Sequence, residues 1–270
     1  MQKHKMYQYQ GRKIHYRDEG QNNRHTVVLL HGWAQDLDIW SGYTLGLMHE
    51  LRVVSIDLPG HGMSDTYSEM HSMDFMANCV HELLNEIGID QCVMIGHSLG
   101  GYVALAFARM YGAQLIGLGL INSHALPDTK QDTLRRQNTC NELANNYHGY
   151  ISTFITSLFA EKNRRAFERI ISNIIDHDYD RNAQDMIASQ KGMMRRNSEV
   201  NTLAQFERPI MFIYGKQDNR IPIEVAIVQT SLPKHAESLI LDQVGHMAHI
   251  EAEKEVTNFM KHFVETCYLK

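Results

Sequence analysis

Short apolar runs recur along the chain, separated by stretches with helical spacing. Val27 to Leu30, Leu51 to Ile56, Val93 to Ile95, Leu115 to Ile121, Met211 to Tyr214 and Ser238 to Leu241 are almost wholly apolar. Runs that do not alternate predict strands covered on both faces. Ahead of them, Lys5 to Gln10 and Lys13 to Asp18 flank Gly11-Arg12, which predicts an antiparallel hairpin. Asp74 to Ile87 reads as an amphipathic helix closed by Gly88, and Tyr102 to Phe107 as a buried one. Val256, Phe259, Met260, Phe263 and Val264 repeat with a period near 3.6, predicting a last helix. Strands alternating with helices predict an α/β fold: a mostly parallel sheet with helices on both faces, edged by the hairpin.

Between Asn122 and Arg208 strand signals stop and helical ones fill the space. Tyr150, Ile151, Phe154, Ile155, Leu158 and Phe159 form one apolar stripe; Phe167, Ile170, Ile171, Ile174 and Ile175 form another. The expected division is a core of residues 1–122 and 209–270, with residues 123–208 inserted as a helical lid. The insertion carries Arg135-Arg136, Arg164-Arg165 and Arg195-Arg196, but basic and acidic residues nearly balance there. The arginine pairs therefore read as solvated faces, and the apolar stripes as the wall of a substrate pocket.

At 270 residues and a net charge of −5, the chain has no long block of one sign, which argues against nucleic acid or an anionic membrane as partner. No apolar run is long enough for a membrane span, and the opening MQKHKMYQYQ lacks a signal peptide's apolar core, so a cytoplasmic protein is expected. The four cysteines are widely spaced and the sixteen histidines show no metal-ligand spacing, so neither a disulfide framework nor a metal is expected. Nothing in the sequence specifies an oligomeric state.

Candidate chemistry centres on Cys92 to Ala108. A strand, then Gly96-His97-Ser98-Leu99-Gly100, then a buried helix is the pattern of a nucleophile elbow. The turn is so sharp that side chains at positions 96 and 100 would collide. A serine hydroxyl needs a base within reach, and the base needs an orienting acid. Both occur just past late strands: Asp218 after Ile210 to Tyr214, and His246 after Leu239 to Leu241. Their order matches the Ser, Asp, His order of elbow-bearing hydrolases. His249 is the alternative base and Asp242 the alternative acid. An acid after the strand before the lid is disfavoured, because Asn122 and Ser123 stand there. His97 lines the pocket or packs.

With His31-Gly32-Trp33, the Asp57 to Asp65 loop, Gly96 to Gly101, Gly215-Lys216-Gln217-Asp218 and Gly245-His246-Met247, the chain resembles the α/β-hydrolase fold family. It is most similar to the small cofactor-free esterases, lactonases and carbon–carbon bond hydrolases. The resemblance implies an eight-stranded sheet, Ser98 as nucleophile, His246 as base and Asp218 as acid. It also implies an oxyanion hole from the backbone N–H groups of Trp33 and Leu99, and no cofactor. The implied function is hydrolysis of a small, partly apolar ester, thioester or lactone through an acyl-enzyme. Carbon–carbon cleavage of a ring-fission dienoate is the alternative; it calls for a cationic group such as Arg195 or Arg196. A different class is a ligand-binding or signalling protein on the same fold with slow turnover.

Overall fold

The computed structural model describes residues 4–177 and 181–269. Eight strands form one sheet: β1 (Lys5–Tyr9), β2 (Arg12–Glu19), β3 (Thr26–Leu30), β4 (Arg52–Ile56), β5 (Cys92–His97), β6 (Leu115–Ile121), β7 (Ile210–Gly215) and β8 (Ala236–Leu241). Their order is β1-β2-β4-β3-β5-β6-β7-β8, antiparallel at β1-β2 and β2-β4 and parallel elsewhere. The hairpin is as expected, but its turn falls one residue early. Tyr9 pairs with Arg12, and Gln10 and Gly11 both take positive φ, 48° and 76°. A two-residue turn whose twist matches the strands needs positive φ at both positions.

The helices are α1 (Ser41–Leu47), α2 (Met73–Glu86), α3 (Leu99–Tyr111), α4 (Lys130–Leu158), α5 (Glu168–His177), α6 (Ala183–Met194), α7 (Val200–Gln205), α8 (Ile223–Thr230), α9 (Ala248–Glu251) and α10 (Glu253–Leu269). Strand side chains alternate between two apolar layers. Val27, Leu29, Val93 and Ile95 face α1 and α10; Val28, Leu30 and Met94 face α2 and α3. Because both layers are apolar, these strands read as unbroken hydrophobic runs. In α10, Val256, Met260, Phe263 and Val264 are fully buried, each contributing about 1.5–3 kcal/mol by leaving water. The helix is tied to the start of β3 by the Tyr268 hydroxyl, which accepts from the Thr26 N–H (2.6 Å) and donates to the Thr26 carbonyl (2.7 Å).

Helices α4 to α7 all lie between β6 and β7. A capping box at Thr129 and Asp132 starts α4, which kinks where Asn146 leaves helical geometry. Beyond the kink, Ile151, Ile155 and Leu158 join the α2–α3 side of the core, as the stripe predicts. The second stripe is weaker: Ile171 is buried, while Ile170 faces outward. Among the described residues, no helix is long and apolar enough to cross a membrane.

Candidate active site

Strand β5 runs straight into α3 through Ser98, which has φ 49° and ψ −111°. Such backbone in a non-glycine residue costs about 1–3 kcal/mol and persists only where the surroundings impose it. They do so here. A Cβ on Gly96 would lie 2.2 Å from the Gly100 carbonyl oxygen, and one on Gly100 would lie 2.3 Å from that of Leu30. Only hydrogen fits at either position. The Ser98 N–H donates to Ile121 on β6 (2.9 Å), and its carbonyl accepts from the Gly101 N–H (3.0 Å) and the Ser123 hydroxyl (2.9 Å).

Asp218 follows β7 and His246 follows β8, and the two loops meet above Ser98. His246 Nδ1 is 2.8 Å from Asp218 Oδ2, and His246 Nε2 is 2.9 Å from Ser98 Oγ. A carboxylate only accepts, so Nδ1 carries the hydrogen and the Nε2 lone pair faces the serine hydroxyl. Burial opposes charge on Asp218. The adjacent His246 imidazole, the Arg220 N–H (2.7 Å) and the Asn122 amide (2.9 Å) outweigh it and hold the carboxyl below the usual carboxylate value. The Ile221 N–H also donates to Asp218 Oδ1, at 3.1 Å.

The His246 backbone is held from both sides. Its N–H donates to the Leu158 carbonyl at the end of α4 (2.8 Å), and its carbonyl accepts from His97 Nε2 (2.9 Å). The α4–α7 insertion thus helps place the imidazole. His97 also has Nδ1 3.1 Å from the Gln35 amide, whose oxygen accepts the Gly32 N–H (2.9 Å). His97 is wholly buried and does not line the cavity at Ser98. The Trp33 and Leu99 amides have no hydrogen-bond acceptor among the described residues. The Trp33 indole donates to the Met186 carbonyl on α6 (3.2 Å) and meets Phe154 of α4 edge to face.

Of the alternatives, neither reaches the serine. His249 is fully buried against Trp40 and His97, with both ring nitrogens unpartnered among the described residues. Asp242 is exposed and pairs with Lys216 (2.7 Å). Asn122, which takes the place of an acid after β6, instead donates to Asp218 and to the Gly245 carbonyl (3.2 Å).

The cavity at Ser98 has a volume of about 90 Å³ and corrects two expectations. Its wall is apolar only at Trp33, Tyr102, Tyr150, Phe154 and Met193; beside Ser98 and His246, the rest is polar: Arg135, Arg136, Arg196, Arg220, Asp128 and Asp132, with His124, Thr139 and Gln190. The arginine pairs are therefore not all solvated faces. Arg165 and Arg195 point to solvent, but Arg136 and Arg196 reach inward to share Asp128, whose side chain is 2% exposed. Helical spacing shows which residues share a face; it does not show that long side chains bend under the helix to a buried carboxylate. Burial, reinforced by the Arg196 and Arg136 charges, pushes the neighbouring His124 down to about 3, so it lines the cavity uncharged.

One cluster among the described residues has metal-like spacing: Asp36, Asp38 and His177 bring ligand atoms within 4.8 Å of one another. Arginines already occupy it, Arg181 on Asp36 (3.0 Å) and Arg17 on Asp38 (2.6 Å).

A strained serine at a strand–helix turn, with a histidine and an aspartate from the next two strand ends, is the arrangement of an elbow-bearing hydrolase. The sequence profile of the alpha/beta hydrolase family matches residues 27–259, and the chain belongs to that family. It is similar to the pimeloyl-[acyl-carrier protein] methyl ester esterase of Yersinia pseudotuberculosis, 24% identical over 88% of this chain and 93% of that protein. It is also similar to the dihydrolipoyllysine-residue acetyltransferase component of the acetoin cleaving system of Pseudomonas putida, 27% identical over 94% of this chain and 67% of that protein. Among solved structures, a thermophilic esterase from Thermogutta terrifontis superposes with a TM-score of 0.91 at 25% identity, over 98% of this chain and 99% of that one.

Proposed function

We propose that this chain is a serine hydrolase that cleaves a small carboxylic ester, thioester or lactone through an acyl-enzyme. The observation that carries the reading is the unbroken hydrogen-bond line from Ser98 Oγ through His246 to Asp218. Ser98 Oγ attacks the carbonyl carbon while His246 Nε2 takes its proton. The oxygen that becomes negative turns toward the Trp33 and Leu99 amides, each contributing roughly 3–4 kcal/mol. The intermediate collapses, His246 protonates the leaving oxygen, and the acyl group remains on Ser98. Water then attacks the acyl carbon with His246 again as base, and Ser98 is regenerated. Asp218 stays ionised throughout, fixing the imidazole tautomer and stabilising its cation. No cofactor enters this chemistry. Because the nucleophile is a hydroxyl and not a carboxylate, no alkyl-enzyme ester forms.

In this reading residues 1–122 and 209–270 are the core, and residues 123–208 are a lid that closes the cavity with α4 and α6. The site of action is cytoplasmic. Carbon–carbon bond hydrolysis of a dienoate is the second reading. It is supported by Arg220 in the cavity wall, a cation of the kind that such a substrate's carboxylate requires.

The test is hydrolysis of short-chain p-nitrophenyl esters under excess substrate. Sustained turnover, lowered about 10⁴–10⁶-fold in Ser98→Ala, is expected. One stoichiometric burst followed by a stalled adduct would instead favour the binding or signalling class.

A further inference from the structure

The cavity wall is unevenly charged. Four arginines and two aspartates line it. Two of the arginines, Arg136 (Nε to Oδ2, 2.8 Å) and Arg196, share the single carboxylate of Asp128, and Arg135 pairs with Asp132. Arg220 is left over. Among the described residues no carboxylate pairs with it. Its Nη2 donates to the Ser157 hydroxyl (2.8 Å), its guanidinium lies over the Phe154 ring at 4.8 Å, and its buried Nε has no partner. A part-buried cation beside other cations is costly unless an anion completes it. Burial, together with repulsion from Arg135 and Arg136, disfavours its charge, and the nearby Tyr150 and Asp218 offset this only in part.

Arg220 is also held still. Its backbone N–H is bonded to Asp218 and its guanidinium to Ser157, and it opens on the same cavity as the hydrogen-bonded serine–histidine pair. We propose that Arg220 is the specificity-determining residue of a carboxylate subsite: the substrate carries a free carboxylate besides its scissile carbonyl, and Arg220 receives it. This rests on the hydrolase reading above. A monoanion suits the site better than a phosphoryl dianion, because Asp128 and Asp132 stand in the same wall of a small cavity. A planar guanidinium also matches the flat, two-oxygen shape of a carboxylate.

The experiment compares shape-matched substrates with and without that charge, with spontaneous hydrolysis subtracted. Mono-p-nitrophenyl succinate is set against p-nitrophenyl 4-methylpentanoate for a carboxylate on the acyl side, and 4-acetoxybenzoate against 4-acetoxytoluene for one on the leaving group. In at least one pair the charged ester should have the higher kcat/KM by about tenfold or more, mainly through KM. That ratio, not either rate alone, should collapse in Arg220→Gln and be partly retained in Arg220→Lys, which keeps a cation if the glutamine variant folds poorly. A neutral preference in both pairs, or a preference that survives Arg220→Gln, would overturn the assignment while leaving the hydrolase reading intact. If no ester of either kind is turned over, the hydrolase reading fails. The subsite is then read by calorimetry of succinate and inorganic phosphate on Ser98→Ala. Succinate binding that weakens about tenfold on further change of Arg220 to Gln supports the subsite, whereas tighter binding of phosphate, or no binding of either, overturns it.

Discussion

At the scale of single residues, two histidines compete for one role and their surroundings separate them. His246 has an acceptor on Nδ1 and a hydroxyl on Nε2. His249, three residues on, is sealed among Trp40 and His97, and burial pushes it down to about 3. Changing His246 to Ala should therefore lower kcat nearly as far as the loss of Ser98, roughly 10⁴-fold or more. His249→Ala should keep most activity per folded molecule, with a stability loss from the vacated space. Steady-state kinetics on both variants check this, and equal losses in kcat would remove His246 from its role. Asp218→Asn should cost less than losing the serine, because the imidazole remains while its tautomer is no longer fixed. The three residues that meet here were legible in the sequence, since each follows a strand or turn whose signal is local. Asn122 and Arg220 were not. Their importance lies in which way a side chain points after β6 and β7, and no periodicity encodes that.

At the scale of elements, the elbow depends on close backbone approach. Gly100 lies against the carbonyls of Leu30, which ends β3, and of His31 just past it. Gly100→Ala should push α3 off the sheet or unseat Ser98, with a stability loss of about 1–3 kcal/mol and a larger loss of activity. Thermal unfolding and kcat measured together read both; an alanine tolerated without change in either would mean that the turn is looser than its contacts imply. In α10, Phe263→Ala removes a wholly buried ring and should destabilise the fold by about 3–5 kcal/mol, a difference that denaturant unfolding resolves. Strands β3 to β7 were visible as apolar runs, because a strand covered on both faces has no polar side to confuse the pattern, whereas β1 and β2 showed only through the turn between them. The hairpin turn was misplaced by one residue, because Gly11 with Arg12 and Gln10 with Gly11 read equally well until the register Tyr9 to Arg12 is seen. The insertion was legible as helices but not as a cavity wall. The same stretch buries Ile151 and Ile155 in the core and turns Arg136 toward Asp128.

At the scale of the whole molecule, several histidines are buried uncharged. Burial lowers His71 to about 4 and His124 and His249 to about 3, from an ordinary 6.5. The unfolded chain takes up protons on these groups as pH falls through 6.5, while the folded chain does not. Proton uptake by the unfolded state alone lowers stability, so the loss begins below pH 6.5 and continues toward about 3. Asp218 and Asp57 act in the same direction at lower pH. Their folded carboxyls titrate below the ordinary 3.8, so the stability they contribute is present above that pH and lost as pH falls through the folded value. The melting temperature should be nearly flat from pH 8 to 7 and fall steadily below about 6.5. A melting curve by calorimetry that is unchanged down to pH 4.5 would contradict the uncharged burial of these histidines.

The central claim is that Ser98 is a nucleophile made reactive by His246. Its most direct measurement is the covalent adduct itself: the protein treated with a p-nitrophenyl alkylphosphonate, then weighed intact and mapped by peptide mass spectrometry. One adduct per chain, on Ser98, absent in Ser98→Ala and formed far more slowly in His246→Ala, is the expected result. Labelling at another residue, or labelling of Ser98 at the same rate without His246, would contradict it.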